Sequence, residues 1–471
     1  MLSLSRDGRP LTDQIVAAVV DAITTGRWSE GERLPSVRQL ARQLAVSIYT
    51  VTTALERVAA RGLVQARPGS GYFVTRRPPP ALAPFDAIEA GLPPAETTLG
   101  FTRQALAAGR PLLPVGSGFL PPDWFAEGMV PAAMARLGRR GALAMQPAPA
   151  QGHPALRDAL AERLRHQQIP AAADQLIVTF GASHAFELLV RTLLQPGDAV
   201  LVEDPGYFML HTRLRAAGIA LVPVARDVDG LVPAALEAAL APPAAHGRRP
   251  KLLFTQTLLH NPTGGSSTPA RCHQLLSLAE RHDLLIVEDD VYGDLADPQR
   301  PRLAQLDGLE RVFHLRSFTK VLNPALRLGY LAAPRRFVAP LLEAKVLSVL
   351  SGSALEELVT TEVLESGRYP RHLAHTRDRL ARARARAIAA LTALGVAVDG
   401  QARDGLFLWC RLPAGHRALD LVGPAQAAGL LLAHGQLFSP QGLADDRLRL
   451  NAAYADAPAL LTFLRKHLSR P

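Results

Sequence analysis

Lysine is nearly missing from this 471-residue chain: Lys251, Lys320, Lys345 and Lys466 are its four lysines among 52 strong cations, so the other 48 (52 − 4) are arginine. An arginine stays protonated and forms no imine with an aldehyde, whereas a lysine amine can be freed to do so. Such chemistry is therefore confined to four addresses. Cysteine is scarcer still. Cys272 and Cys410 cannot build a disulfide framework, and neither has metal-ligand spacing, so no metal site is expected. The start, Met1-Leu2-Ser3-Leu4-Ser5-Arg6-Asp7, lacks the apolar segment of a secretory leader, and the expectation is a protein of the reducing cytoplasm. Long apolar runs are missing too. The longest uncharged stretch, Leu421 to Ala444, is interrupted by Pro424, Gln426, His434, Gln436 and Pro440, which suits a buried helix and loop better than a bilayer span.

What is present exceeds the ~250–300 residues at which a single core usually splits, so two or three domains are expected. The net charge of +10 is uneven: residues 1–77 carry 11 Arg against 6 Asp and Glu, a balance of +5 (11 − 6). A basic module at one end points to a polyanionic partner, although charge by itself leaves an arginine-rich solvated surface equally open.

The pattern inside that module is more specific. Leu11, Ile15, Val19 and Ile23 recur four apart and predict an amphipathic helix. Ser36 reads as the N-cap of a second helix with Val37, Leu40, Ala41 and Leu44 on its inner face. After the turn Ala45-Val46-Ser47, a third helix capped by Ser47 buries Val51, Ala54, Leu55 and Val58. It turns Ile48, Tyr49, Thr50, Thr52 and Thr53 outward. Two short helices around a tight turn form a helix-turn-helix pattern. Leu63 to Arg67 and Tyr72 to Thr75 then predict a hairpin around Pro68-Gly69-Ser70-Gly71, in the place of a wing.

The run from Leu34 to Val74 resembles the winged helix of the GntR regulator family along its whole length. The resemblance implies a double-stranded operator DNA partner. It places Arg38 and the first turn of the third helix at the DNA, with Ser47, Tyr49, Thr50 and Thr52 facing the major groove and Arg67 and Gly69 on the wing. Many members carry an arginine just after the N-cap, where this chain has Ile48. That departure leaves base readout at the position open, an apolar contact with a thymine methyl being one option.

From Arg76 to about Pro114 the chain changes character, with Pro78-Pro79-Pro80, Pro84 and Pro93-Pro94 among alanines. This predicts a semi-stiff tether with a helix around Thr102 to Ala108. Beyond residue 150, apolar runs at Leu176 to Thr179, Ala199 to Glu203, Ile219 to Val224, Lys251 to Thr255, Leu284 to Glu288 and Val312 to Leu315 alternate with helical patterns. That alternation predicts a mostly parallel sheet covered on both faces, with ligands at the carboxyl ends of its strands.

The chemically suggestive residues fall at those ends. Gly181-Ala182-Ser183 opens a helix whose amides could hold a phosphate, and Tyr207 follows Asp204-Pro205-Gly206 on a stiff turn. Asn261 lies in His260-Asn261-Pro262-Thr263-Gly264, Asp289 and Tyr292 follow the next strand, and Lys320 closes Ser317-Phe318-Thr319-Lys320 ahead of Arg327. Taken singly, each has an ordinary structural reading.

In this order and spacing, residues 115–471 resemble the fold type I aminotransferases, and the whole chain resembles the MocR subgroup of GntR regulators. The implied fold is multidomain. A winged helix-turn-helix of α+β type is followed by an α/β aminotransferase-like domain with a smaller C-terminal α+β subdomain. The corresponding boundaries are 1–77, a linker at 78–114, a large domain at 115–340 and a small domain at 341–471. The resemblance implies pyridoxal 5′-phosphate as cofactor, with Lys320 as its covalent anchor, Asp289 on the ring nitrogen, Asn261 and Tyr292 on the phenolic oxygen, and Tyr207 stacked on the ring. Ser317, Thr319, Arg327 and the Ala182 and Ser183 amides are implied to bind the phosphate. Lys320, Asp289 and Tyr292 are the implied catalytic set. Arg449 is implied to clamp a substrate or effector carboxylate, with Arg447 as the alternative.

Two departures stand out. Relatives often carry a tyrosine several residues before the position of Gly152, where this chain has Met145-Gln146-Pro147. They also often show paired glycines where it has Asp404-Gly405. Two readings of function follow: a regulator whose aminotransferase-like body senses an amino compound or a B6 vitamer, or a working aminotransferase with an appended DNA-binding module. The fusion favours the regulator, since a catalyst has no need of a DNA tether. The family's cofactor sites lie near subunit interfaces, which implies a homodimer.

Overall fold

The structure, a computed structural model, describes residues 10–75, 96–106, 112–125, 128–139, 141, 146–241, 249–399 and 404–468. It divides into two compact units near Leu92. Most of the proline-rich stretch and Met145 lie outside the described residues.

The first unit is three helices and a hairpin. Helix α1 (Leu11–Thr24) buries Ile15, Val19 and Ile23, while Leu11, in its open first turn, is exposed. Helix α2 (Val37–Leu44) starts on a capping box: Ser36 Oγ accepts from Gln39 N and Gln39 Oε1 accepts from Ser36 N, satisfying two N–H groups at this helix start. It ends on Ala45, whose left-handed φ of 52° makes the tight turn. Helix α3 (Ile48–Ala60) is capped by Ser47 and buries Val51, Ala54, Leu55 and Val58, the i, i+3, i+4, i+7 set of its inner face. Strands β1 (Val64–Arg67) and β2 (Gly71–Val74) pair antiparallel, and the Arg67 guanidinium lies 4.4 Å from the Phe73 ring centroid.

The second unit is built on an eight-stranded sheet. Its strands are β3 (Leu176–Thr179), β4 (Ala199–Asp204), β5 (Ala220–Asp227), β6 (Gly230–Leu231), β7 (Leu252–Thr255), β8 (Leu285–Asp289), β9 (Val312–Ser317) and β10 (Gly329–Ala332). Their order is β3-β10-β9-β8-β7-β4-β5-β6. Strands β5, β4, β7, β8 and β9 run parallel, and β10 is antiparallel to both neighbours. Side chains of β3, β7 and β9 are buried throughout, as a sheet covered on both faces requires. A smaller antiparallel sheet of β11 (Ala397–Val398), β12 (Phe407–Arg411), β13 (Ala433–His434) and β14 (Arg447–Asn451) has the order β11-β12-β14-β13.

Part of the span read as a tether packs on this unit. The helix Thr98–Leu106 buries Phe101 edge-on against Phe208, with ring centroids 5.7 Å apart. Leu113 and Gly116 hydrogen-bond along Gly429 and Leu431, so this segment lies against the small sheet. Among the described residues, no helix is long and apolar enough to cross a membrane, and no cluster of ligating side chains could hold a metal ion.

Candidate functional site

The carboxyl ends of β3, β7, β8 and β9 converge on one cavity. All ten residues that the sequence assigned to a cofactor line it, together with Phe186, Gln256 and Val291.

Asp289, the last residue of β8, is buried and accepts one N–H, from Val291 at 3.1 Å. Burial pushes its carboxyl up to about 7; the Val291 N–H works against that shift, while neighbouring Asp290 adds to it. The carboxylate thus lacks a strong donor, and a protonated ring nitrogen is the kind of group that supplies one. Lys320 follows the end of β9. Burial, then the charges of Arg449 and Arg327, bring its amine down to about 7, so near neutrality much of it is unprotonated and nucleophilic. The Phe119 ring covers the amine, 3.7 Å from centroid to Nζ.

A cradle for a tetrahedral anion lies alongside. Gly181, at φ +70°, opens the helix Gly181–Leu193, whose N-terminus has no side-chain cap. A Cβ on Gly181 would stand 3.5 Å from Arg327 Nη2 and 3.7 Å from both Ser317 Oγ and Thr319 Oγ1. Three polar heads therefore converge on the first turn that contains Ala182 and Ser183. Thr319 Oγ1 is buried without a partner among the described residues, whereas Ser317 Oγ donates to Leu328 O. Uncapped amides, a guanidinium and an orphaned hydroxyl form the donor set that a phosphate satisfies.

Between cradle and carboxylate, Tyr207 packs its ring near Phe186 and Phe208, with centroids 6.5 and 5.5 Å away. Burial raises the Tyr292 hydroxyl, which donates to Gly118 O at 3.1 Å. Asn261 Oδ1 accepts from Arg449 Nη1 at 2.7 Å.

Arg449 is a buried cation without a carboxylate among the described residues. Its Nη2 donates to Gly116 O, its Nε has no partner among the described residues, and the rings of Phe407, Phe438 and Phe208 surround it at 4.5, 4.7 and 5.7 Å. Burial lowers it to about 10, so it stays charged at neutral pH. Arg447 lies two residues back on β14, on the same face as alternation dictates, but its guanidinium turns to other partners. It bonds to Asp399 at 2.8 Å and Asp446 at 3.3 Å, so its charge is already matched.

Two supporting residues went unnoticed in the sequence. Gln256 Oε1 accepts from Asn261 N at 2.9 Å, and Gln256 N donates to Glu203 Oε2 at 2.9 Å. Burial opposes ionisation of Glu203, but His260 and Arg226 outweigh it and bring the carboxyl to about 2. An acid inside the apolar strand β4 was the available signal. At the second departure from the resemblance, Asp404 accepts from Arg300 at 3.2 Å.

In the first unit, Arg38, Ser47, Tyr49, Arg67 and Gly69 are exposed, and Thr50 and Thr52 are half-buried. The hydroxyls expected at the groove have internal partners. Ser47 Oγ accepts from Thr50 N at 3.0 Å and lies 2.7 Å from Thr50 Oγ1, while Thr52 Oγ1 donates to Ile48 O.

Residues 11–74 match the bacterial regulatory proteins of the gntR family, and residues 110–465 match aminotransferase class I and II. The HTH-type transcriptional regulator TauR of Rhodobacter capsulatus is 31% identical over 89% of this chain and 88% of its own. The chain is a MocR-type regulator of the GntR family. The probable rhizopine catabolism regulatory protein MocR of Rhizobium meliloti is 32% identical over 71% of this chain and 68% of its own. Among solved structures, Thermus thermophilus LysN, an α-aminoadipate aminotransferase complexed with N-(5′-phosphopyridoxyl)-L-leucine, is 26% identical. It has a TM-score of 0.71 and covers 82% of this chain and 99% of that one. This MocR-type protein is a transcription regulator with a winged helix and a fold type I aminotransferase domain, and its cofactor is pyridoxal 5′-phosphate. The uncapped Gly181 turn, the orphaned Thr319 hydroxyl and the donor-poor Asp289 carboxylate fit that cofactor.

Proposed function

We propose that this regulator senses an amino compound bearing a carboxylate, or a B6 vitamer, in the Lys320 cavity and transmits its occupancy to DNA. One observation carries the reading. Asn261 lines the cavity with the near-neutral Lys320 amine and accepts from Arg449, a buried arginine without a carboxylate partner among the described residues. When bound, the cofactor supplies an aldehyde and an electron-withdrawing ring.

The chain's own residues do the rest. Lys320 presents a free amine to the aldehyde and holds or returns a proton beside the reacting carbon. Asp289 keeps the ring nitrogen protonated. Ser317, Thr319, Arg327 and the Ala182 and Ser183 amides hold the phosphate; Asn261 and Tyr292 orient the phenolic edge, and Tyr207 stacks. Arg449 receives the carboxylate, so ligand binding discharges the cost of its unpaired burial. A ligand changes DNA binding only by preferring one of two conformations of the protein.

The functional partner for DNA binding is a second copy of the chain, in the cytoplasm. In support, Val346, Leu347, Val349 and Leu350 leave an apolar patch exposed at the end of the helix Arg335–Val349, with Leu347 79% and Leu350 72% accessible.

The direct test is fluorescence anisotropy of a duplex from upstream of the gene, with and without cofactor and a panel of amino acids, against scrambled DNA. Saturable binding that prefers the native duplex and shifts with ligand is expected. Binding indifferent to sequence and ligand would favour the second reading, a working aminotransferase. That reading is supported by the Lys320 amine near neutrality, which suits a proton carrier, and by conversion of amino acids to 2-oxo acids if observed.

Arg38, Arg67 and the Gly69 amide are assigned to DNA phosphates. Arg38→Ala is expected to make the plot of log affinity against log salt shallower by about 0.9, the counterion release of one phosphate contact. An unchanged slope removes Arg38 from that set.

A further inference from the structure

We propose that Ile48 reads sequence by packing its side chain on the 5-methyl group of a thymine in the major groove. The inference rests on the DNA-binding reading above and adds the chemistry of the base contact.

Helix α3 is the second helix of the helix-turn-helix, and in that motif its N-terminal residues meet the base edges. The first turn of α3 offers little polar readout. Ser47 and Thr50 bond to one another and close the N-cap, and Thr52 bonds back to the Ile48 carbonyl. What remains outward is the aliphatic Ile48, 54% exposed, and the Tyr49 ring with its hydroxyl, 80% exposed.

An exposed, β-branched isoleucine gains nothing from its position in the isolated unit. It packs no core, and isoleucine is a weaker helix former than alanine. Among the four bases, only thymine presents an apolar group in the major groove. The surrounding charge suits the same partner. Arg57 and Arg27 are tied to Asp13 and Asp21, whereas Arg38, Arg42 and Arg67 are exposed without a carboxylate partner among the described residues. Arginines that meet phosphates fix register but carry no sequence information, so discrimination falls to the α3 turn.

The test starts from the full-length, cofactor-loaded regulator and a random-sequence duplex pool. The most enriched duplex is then made with deoxyuridine in place of each thymidine, which removes the methyl groups and retains the pairing edges. Burying one methyl corresponds to roughly fourfold in affinity, and two half-sites to roughly fifteenfold. The wild type is expected to lose about that much, and Ile48→Ala to bind both duplexes equally. Because Ile48 packs no core, the variant keeps its circular dichroism. Equal wild-type affinity for the two duplexes overturns the proposal. So does a penalty that survives Ile48→Ala, including one that vanishes in Tyr49→Ala and so belongs to the next residue. If no duplex is enriched over scrambled DNA, sequence-specific binding itself fails and takes this contact with it.

Discussion

Lys320→Ala is expected to abolish the visible absorbance of the bound cofactor while leaving far-ultraviolet circular dichroism unchanged. The lysine contributes no salt bridge to the fold among the described residues, and its amine lies against the Phe119 ring. Cofactor association should persist more weakly, because the phosphate cradle around Gly181 and the Asp289 carboxylate remain. The pH dependence has a definite sign. Lys320 is brought from the ordinary lysine value of 10.5 down to about 7, so covalent capture should rise as pH climbs through 7 and then level off. An exposed lysine would keep gaining until above pH 10.

Lys345 is the control. It is also buried and brought down to about 8, chiefly by burial, with Glu357 opposing. It does not line the cavity, so Lys345→Met should retain the full band. Loss of the band in Lys345→Met and its survival in Lys320→Ala would reverse the assignment. Stopped-flow absorbance across pH 5.5 to 9.5 reads both the band and its titration.

Local signals carried much of this architecture. Ser36 and Ser47 were readable as caps because a hydroxyl one residue before an apolar 3.6-residue period has little else to do. The parallel strands were readable as short apolar runs, but β10 was not assigned, although Gly329-Tyr330-Leu331-Ala332 is such a run. Its antiparallel place between β3 and β9 depends on pairing across 150 residues, which no local pattern encodes. The cavity residues were legible as a set because each sits at a strand end. Their support was not: Glu203 and Gln256 matter through contacts made only after β4 and β7 pair. In α3 one spacing serves both a groove-facing and a capping role, and side-chain geometry shows the cap. Alternation along β14 puts Arg447 and Arg449 on one face, so the pattern alone does not choose between them; the choice emerges only from the partners packed around each.

Arg449→Met should therefore weaken the response to carboxylate-bearing amino compounds by on the order of 10²-fold or more, the worth of a bidentate charge-assisted pair. The cofactor band should stay, since Arg449 lines neither the Gly181 cradle nor the Asp289 carboxylate. Methionine keeps the length of the side chain among Phe407, Phe438 and Phe208, where an apolar group is well accommodated, so the fold should tolerate the change. One side effect must be separated from the clamp, because Asn261 Oδ1 loses its Arg449 donor. An amine with no carboxylate makes that separation. If its spectral titration is unaltered while that of the amino acid collapses, Arg449 acts on the carboxylate. If both weaken equally, the residue works by positioning Asn261. Arg447 cannot then inherit the clamp role, since its guanidinium is already bonded to Asp399 and Asp446.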